Sequence, residues 1–328
     1  MLPTRVFPLL SPSEPCPVCG ASGPRPLHVY AVNHNKPRAT SQLNVALLGC
    51  PRCGIVYSFP RPSDADLTAY YSRSDGWDDR ITEDETEALR RVHKLRSKHA
   101  ADFDRLAAVV ELPEAADGVR PRALDFGCGI GGWLSALRDR GWETFGIEPG
   151  RRAAAITARE HELLEMPPGD ASLDLVVLHH TLEHLPDPAG TLADLTASLR
   201  PGGAIWISVP SLETLAEHRD LDYMASDKHV FTFTTASLRS LLALAGVELL
   251  ASSLEPGWPD EIPNPKRLIC VGVRRGAPLP LPAEPLEPAL AALAAYAAGC
   301  PEPAPRLPPS RLRRLVRRIR GQSPEAGL

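Results

Sequence analysis

The sequence has no apolar run near the ~18 uninterrupted residues that a membrane-spanning helix needs. Its opening residues, Met1–Leu10, are broken by Pro3, Arg5 and Pro8. They show neither a charged segment followed by a long apolar stretch nor a small-residue cleavage site, so no secretory signal is predicted. These two absences predict a soluble, cytoplasmic protein. Strong charge of one sign is missing too. A formal net charge of -4 argues against a general nucleic-acid coat, while leaving room for a local basic patch. Internal repeats are absent, and a chain of 328 residues is long enough for one large core and a smaller satellite.

An even disulfide framework is also lacking. The seven cysteines are odd in number, and four of them form two tight CxxC pairs, a usage that suits a metal site in a reducing compartment. The 35 prolines crowd the first 65 residues and the stretch after Ala277, so composition marks the two ends as irregular and the middle as the folded body.

The pairs are Cys16-Pro17-Val18-Cys19-Gly20 and Cys50-Pro51-Arg52-Cys53-Gly54. Each turn presents two thiolates to one metal, and the trailing glycines let backbone amides turn toward sulfur. Four sulfurs, from Cys16, Cys19, Cys50 and Cys53, complete a tetrahedral shell around Zn2+ with no position left for water or substrate, which makes a structural site. Two matched pairs argue against a redox CxxC. Cys128 and Cys270 read as packing residues, and Cys300 has no assigned role.

A short helix is predicted over 64–71 and a longer one from about Glu83 to Glu111. Thr82 and Glu85 have capping-box spacing. Leu89, Val92, Leu95, Phe103, Leu106 and Val110 supply an apolar face that is imperfect around His99. From Arg122 the pattern alternates. Strands are predicted at Arg122–Phe126, Glu143–Ile147, Leu173–Leu178, Ala204–Val209, Val247–Ser252 and Arg267–Val273. Helices are predicted at Gly132–Arg140, Asp187–Leu199 and from Thr234 or Thr235 to Ala245. Such alternation implies an α/β fold with a mostly parallel sheet covered on both faces.

Asp125-Phe126-Gly127-Cys128-Gly129-Ile130-Gly131-Gly132 lies between a strand and a helix. Glycines there permit a tight turn and close approach of a ligand, and helix N-terminal amides add a partial positive charge. Gly127, Gly129 and Gly132 satisfy the dinucleotide spacing GxGxxG. Asp125 argues against a dinucleotide, because a carboxylate ahead of the turn repels a pyrophosphate but suits a cationic amino group. Glu148, ending the second strand, suits two ribose hydroxyls in either case.

Four pieces in order carry a family resemblance: Asp125-x-Gly-x-Gly-x-Gly131; Phe145-Gly146-Ile147-Glu148-Pro149; the strand Leu173–Leu178; and Leu182-Glu183-His184-Leu185-Pro186-Asp187-Pro188. Together they resemble the class I S-adenosylmethionine-dependent methyltransferases, in their small-molecule branch, over about Arg122–Val273. Pro201-Gly202-Gly203 and His229-Val230-Phe231-Thr232-Phe233-Thr234 fit the same pattern. The resemblance implies a Rossmann-like, seven-stranded, mostly parallel sheet. It also implies that Asp125 and the backbone of Gly127, Gly129 and Gly131 hold the methionine end of the cofactor and Glu148 its ribose. His179, following the fourth strand, would line the cofactor. Only about twenty residues separate Glu148 from Asp170, so the usual helix and third strand are contracted. Counting back from Asp174 places Glu162 at the acid that accepts from the adenine amine.

A sulfonium methyl is already electrophilic, so the chemistry left to the protein is alignment and, for a hydroxyl acceptor, removal of its proton. Histidine titrates near neutrality and suits that task. His229 is the first candidate for the base, with His180 and His184 beside it. The segment Ser226-Asp227-Lys228-His229 loosely resembles the Tyr-His-Glu-His of sugar C-methyltransferases, but only its last histidine matches, which disfavours carbon methylation. Leu178-His179-His180-Thr181 is unlike the Asn/Asp-Pro-Pro-Tyr of DNA adenine methylation.

Arg311–Arg320 carries six arginines around Leu312, Leu315, Val316 and Ile319. A basic amphipathic helix of this kind can lie on an anionic membrane or contact phosphates. The organisation read from sequence is therefore a zinc-ribbon-like module (14–62), a helical linker or lid (63–118), a methyltransferase domain (119–275) and an Ala/Pro-rich, basic tail (276–328) with one helix near 288–298. Three functions fit: a methyltransferase acting on an oxygen of a small metabolite or sugar, an RNA methyltransferase using ribbon and tail, and a non-catalytic binding protein that keeps the fold.

Overall fold

The computed structural model describes residues 14–31, 44–59, 61, 65, 67, 81, 84–116, 118–224, 229–259 and 266–298. Most of the helix expected over 64–71, the stretch 226–228 and the basic segment 311–320 lie outside the described residues.

The N-terminal part is a small antiparallel sheet. Strand β1 (Arg25–Ala31) pairs with β2 (Asn44–Gly49), and β2 with β3 (Val56–Phe59). The two cysteine knuckles precede β1 and join β2 to β3. They have the same backbone: the Gly20 amide donates to the Cys16 carbonyl and Gly54 to Cys50, each at 2.9 Å, and both glycines are left-handed at φ 69 and 72.

The alternating middle of the chain builds the large sheet. Its strands are β4 (Arg122–Phe126), β5 (Glu143–Ile147), β6 (Glu162–Leu163), β7 (Leu173–His179) and β8 (Leu199–Pro210). After the two-residue β9 (Phe231–Thr232) come β10 (Val247–Ser252) and β11 (Arg267–Arg274). The order is β10-β11-β8-β7-β4-β5-β6. Pairs from β8 through β6 are parallel, and β11 is antiparallel to both its neighbours. Because side chains alternate along a strand, the two faces carry different cores. Ala123, Leu175, Val177 and Trp206 pack with Leu106, Trp133 and Leu137 on one face. Leu124, Val176, Leu178, Ile205 and Ile207 pack with Leu192, Leu195, Leu238 and Leu241 on the other. The continuous apolar run Leu175–Leu178 of β7 follows from burial on both sides.

The helices are α1 (Glu85–Val109), α2 (Gly132–Arg138), α3 (Arg151–Thr157), α4 (Pro188–Ser198), α5 (Leu215–His218), α6 (Leu221–Met224), α7 (Thr235–Leu244) and α8 (Glu287–Ala298). Thr234 caps α7 in a box with Ser237, and Asp187 caps α4 ahead of Pro188. Two expectations for α1 need correction. Its cap is Asp84, whose side chain accepts from the Glu87 amide at 3.0 Å, because the helix begins at Glu85 and Asp84 immediately precedes it; Thr82 lies outside the described residues. Leu89 is half exposed, so the packed face begins further along. The contracted stretch after Glu148 keeps both elements, a seven-residue α3 and a two-residue β6.

Packing does not respect the divisions drawn at 62 and 276. Strand β9 adds to the edge of the small sheet, with Val56 opposite Thr232 and Tyr57 opposite Phe231. Helix α8 places Leu286, Ala289 and Leu293 in one apolar cluster with Leu47, Val56, Leu212 and Leu215. A Cβ on Gly54 would lie 2.3 Å from the Pro285 carbonyl oxygen. The first part of the segment read as a tail thus packs against the small sheet and the segment that follows β8.

Candidate functional site

In this sheet the chain reverses direction of build between β4 and β7, and ligands of open α/β sheets bind outside the carboxyl ends at that point. Asp125, the glycine loop, Glu148, His179 and His180 all gather there.

Within the loop, the Gly127 and Cys128 amides donate to the Ile147 carbonyl at 2.8 and 3.1 Å, clamping the turn to β5. Gly127, Gly129 and Gly131 have φ of 79, 54 and 80. A Cβ on Gly127 would meet Thr181 Oγ1 at 2.5 Å, whereas one on Gly129 would meet nothing within 4 Å. Gly129 therefore faces open space, where a ligand can approach the backbone. Glu148 accepts from the Gly129 amide at 2.8 Å and from the Gly150 amide at 2.7 Å, which fixes the acid beside the turn. Each carboxylate oxygen can accept more than one hydrogen bond, so both can also receive a hydroxyl.

Asp125 is the anomaly. It is 2% exposed, and its Oδ1 is buried with no hydrogen-bond partner. Burial, reinforced by the negative Glu148, pushes its carboxyl well above the usual range. A buried acceptor without a donor costs on the order of 1–3 kcal/mol, and a cationic donor at the loop would remove that cost. An acid, three left-handed glycines and an open Gly129 fit the ammonium end of S-adenosylmethionine. Behind the loop, His161 accepts or donates between Ser135 Oγ (3.2 Å) and Thr144 Oγ1 (3.0 Å). Burial lowers its pKa to about 4, so it is a neutral strut that the sequence did not flag. Glu162 is exposed on β6, level with Phe145 and short of Glu148.

Next to Gly127 the chain runs through Thr181 into a one-turn 3-10 helix, Leu182–His184. Glu183 is 1% exposed there. His180 Nδ1 lies 3.3 Å and His184 Nε2 3.8 Å from Glu183 Oε1. The rings of His184 and His229 are 4.8 Å apart. Burial raises the Glu183 pKa, but the charges of His184 and His180 and the His180 hydrogen bond outweigh it and hold the acid at about 2. His180 is itself left-handed at φ 56, a strained conformation for a residue with a Cβ, with its amide on the Ser208 carbonyl at 2.7 Å. His229 is tied to both sheets: the Val230 amide donates to the Glu183 carbonyl at 2.9 Å, and Ser58 Oγ donates to the His229 carbonyl at 3.4 Å. All three candidate histidines thus meet at one anionic centre, Glu183.

His179 turns elsewhere. Its ring lies 4.6 Å from that of His99 on α1, its Nδ1 is buried without a partner, and burial drives its pKa well down. His99 stacks on Trp133 at 5.2 Å and contacts Asp102 through Nδ1 at 3.3 Å. Asp102 in turn receives both terminal nitrogens of Arg267, at 3.1 and 2.8 Å. This buried network was missed because its members lie 165 residues apart in sequence.

The four knuckle sulfurs converge at the other end of the small sheet. Cys16 Sγ is 3.7 Å from Cys53 Sγ, and Cys19 Sγ is 3.6 Å from Cys50 Sγ, with all four within 4.8 Å. A tetrahedron of Zn–S bonds near 2.3 Å has edges of about 3.8 Å, whereas a disulfide needs about 2.05 Å. The cluster fits a small structural zinc site.

Comparison with known proteins places the middle of the chain in a family. Residues 92–252 match the methyltransferase domain family. A Mycolicibacterium smegmatis protein named for S-adenosylmethionine-dependent methyl transfer is 31% identical over 134 residues, 38% of this chain and 51% of that protein. The ubiquinone biosynthesis O-methyltransferase of Pseudomonas aeruginosa is 28% identical over 160 residues, covering 44% and 62%. The chain thus spans between half and two-thirds of the length of these relatives. Among solved structures, a Mesorhizobium loti S-adenosylmethionine-dependent methyltransferase aligns over 53% of this chain and 98% of its own, at 18% identity and a TM-score of 0.41.

Proposed function

The chain carries a methyltransferase domain of the class I S-adenosylmethionine-dependent superfamily, and from that premise we propose that it methylates an oxygen of a small-molecule acceptor, a metabolite or a sugar. The observation that carries the cofactor assignment is the buried, unpartnered Asp125 beside the open Gly129. Asp125 would take the ammonium group and Glu148 the ribose hydroxyls, with the open Gly129 between them. The bound sulfonium supplies an electrophilic methyl group. What remains for the protein is to align the acceptor and remove its proton.

The histidines around Glu183 suit that second task, with His229 best placed by its tether to Ser58 and His180 and His184 alongside. Glu183, buried beside them, lies within hydrogen-bond reach of His180 Nδ1 and so helps to orient that ring. Names of relatives in ubiquinone biosynthesis support oxygen as the accepting atom. Among the described residues nothing favours RNA as acceptor. His229→Ala is expected to lower turnover by about 100-fold or more while S-adenosylmethionine affinity measured by calorimetry stays unchanged. Full turnover on an identified acceptor would remove His229 from the chemistry. A radiolabelled-methyl screen of small-molecule, RNA and protein fractions tests the acceptor class: label in the RNA or protein fraction alone refutes a small molecule.

The four cysteines would hold Zn2+ with a closed shell, giving it no catalytic position. Because β3 leaves the second knuckle and pairs with β9, metal loss is expected to propagate. Cys53→Ser should drop zinc content from one equivalent per chain and lower the melting temperature by several degrees, on the order of 1–3 kcal/mol. Unchanged metal content by atomic absorption would refute the site.

A further inference from the structure

Arg61, just past the end of β3, touches both segments that build the histidine cluster. Its Nη1 donates to the Pro186 carbonyl at 3.4 Å, and its guanidinium lies 5.9 Å from the centroid of the Phe231 ring. Pro186 follows His184 by two residues, and Phe231 follows His229 by two. Two residues of extended chain span about 7 Å, and the rings of His184 and His229 are themselves 4.8 Å apart. The guanidinium therefore stands at the rim of the cluster, within the length of a small molecule. Phe231 beneath it is buried, whereas Arg61 itself is exposed and open to a ligand. Charge points the same way. The Pro186 contact uses one of five guanidinium N–H donors, and among the described residues Arg61 forms no ion pair. The three imidazoles beside it share a single carboxylate, Glu183, which is buried. The whole chain has a formal net charge of -4, so this unpaired cation is not part of a generally basic surface. A planar fork of donors with two fixed contacts behind it matches the oxygens of a phosphate or a carboxylate.

We infer that Arg61 is the anion-recognition residue of the acceptor site, and that the acceptor carries a phosphate or carboxylate group which Arg61 grips while the hydroxyl to be methylated lies among the histidines. The inference deepens the proposed methyl transfer and rests on that reading for the identity of the acceptor; the anion contact stands apart from it. Arg61 acts on binding and register, not on the proton. Holding one end of the molecule at the rim turns the other end toward His229 and restricts the poses it can take. Lysine in its place keeps the charge but loses the fork, so it restores only part of the grip.

The test has two arms, both on the full chain. In the first, wild type, Arg61→Gln and Arg61→Lys are titrated with inorganic phosphate and, separately, with acetate, while the imidazole proton resonances are followed by nuclear magnetic resonance. Saturable shifts of the His184 and His229 signals are expected in the wild type, and Arg61→Gln should weaken that binding at least about tenfold, with Arg61→Lys between the two. No saturable binding of either anion, or equal binding by Arg61→Gln, overturns the proposal. In the second arm a small-molecule extract is split by anion exchange and offered with radiolabelled S-adenosylmethionine. Label is expected in the retained, anionic fraction, and Arg61→Gln should raise KM for that acceptor at least about tenfold with a much smaller change in kcat. Loss of labelling after phosphatase treatment identifies a phosphate, and its survival a carboxylate. Label confined to the neutral fraction, or an unchanged KM, overturns the proposal. Anion binding that depends on Arg61 without label in any fraction supports the site and refutes the methyl-transfer reading instead.

Discussion

Replacing Asp125 with asparagine is expected to weaken S-adenosylmethionine binding about 100-fold, the 2–3 kcal/mol of a charge-assisted contact, and to raise the melting temperature of the ligand-free protein. Both effects follow from one carboxylate that is 2% exposed, has an orphan Oδ1 and is pushed above its ordinary pKa by burial and then by Glu148. With a folded-state pKa above the unfolded one, the folded chain holds the extra proton between the two values. Stability therefore falls as pH rises through that window and stays lowered above it. Asparagine has no charged form to disfavour. The difference in melting temperature between variant and wild type should be near zero in acid, below the ordinary carboxylate range, and should grow toward neutrality.

Binding of a cationic amino group should reverse the shift, so cofactor binding releases protons and strengthens with pH across the Asp125 titration. Calorimetry in buffers of different ionisation enthalpy reads the released protons directly. A variant that binds as tightly as wild type refutes the assignment, and a stability difference that does not change with pH refutes the burial argument.

Asp102→Ala is expected to cost about 3–5 kcal/mol of stability. The change would strand Arg267, which is 4% exposed and gives both terminal nitrogens to that carboxylate. Arg105 Nη1 at 3.1 Å and His99 Nδ1 at 3.3 Å would lose the same partner. The cost comes from an uncompensated buried charge rather than from the pair as such. A double change, Asp102→Leu with Arg267→Met, should accordingly lose much less than the two single changes added together. Burial raises the Asp102 pKa, but the His99 hydrogen bond and the Arg267 charge outweigh it and hold the carboxyl below the usual range. Its contribution is therefore present above the unfolded carboxylate pKa and is lost as pH falls toward the folded value. Denaturant titrations of wild type and Asp102→Ala should converge in acid. A loss below about 1 kcal/mol at neutral pH, the size of an ordinary surface change, would show that the network does not hold α1 to the sheet.

That network also shows where sequence reading stopped. The periodicity of α1 faltered at His99, and the reason lies on β11 and β7: Arg267 and His179 meet His99 and Asp102 across the end of the sheet. No window of local pattern contains both halves. The same holds for the pairing of β9 with β3, which joins residues far apart in the chain and leaves no mark in either segment alone.

What the amino-acid sequence determined alone was everything governed by short-range rules. Strand and helix periods placed β4, β5, β7, β10 and β11 nearly to the residue, and the CPxCG turns and the Asp125 loop are local chemistry in which spacing dictates geometry. Only the tertiary structure decided which histidines share Glu183, why α8 belongs to the folded body, and that the cysteine sheet grips the segment bearing His229. Those facts depend on contacts between distant segments, whose energy comes from burial and partner satisfaction after the chain has folded, and such terms leave no periodic trace along the chain.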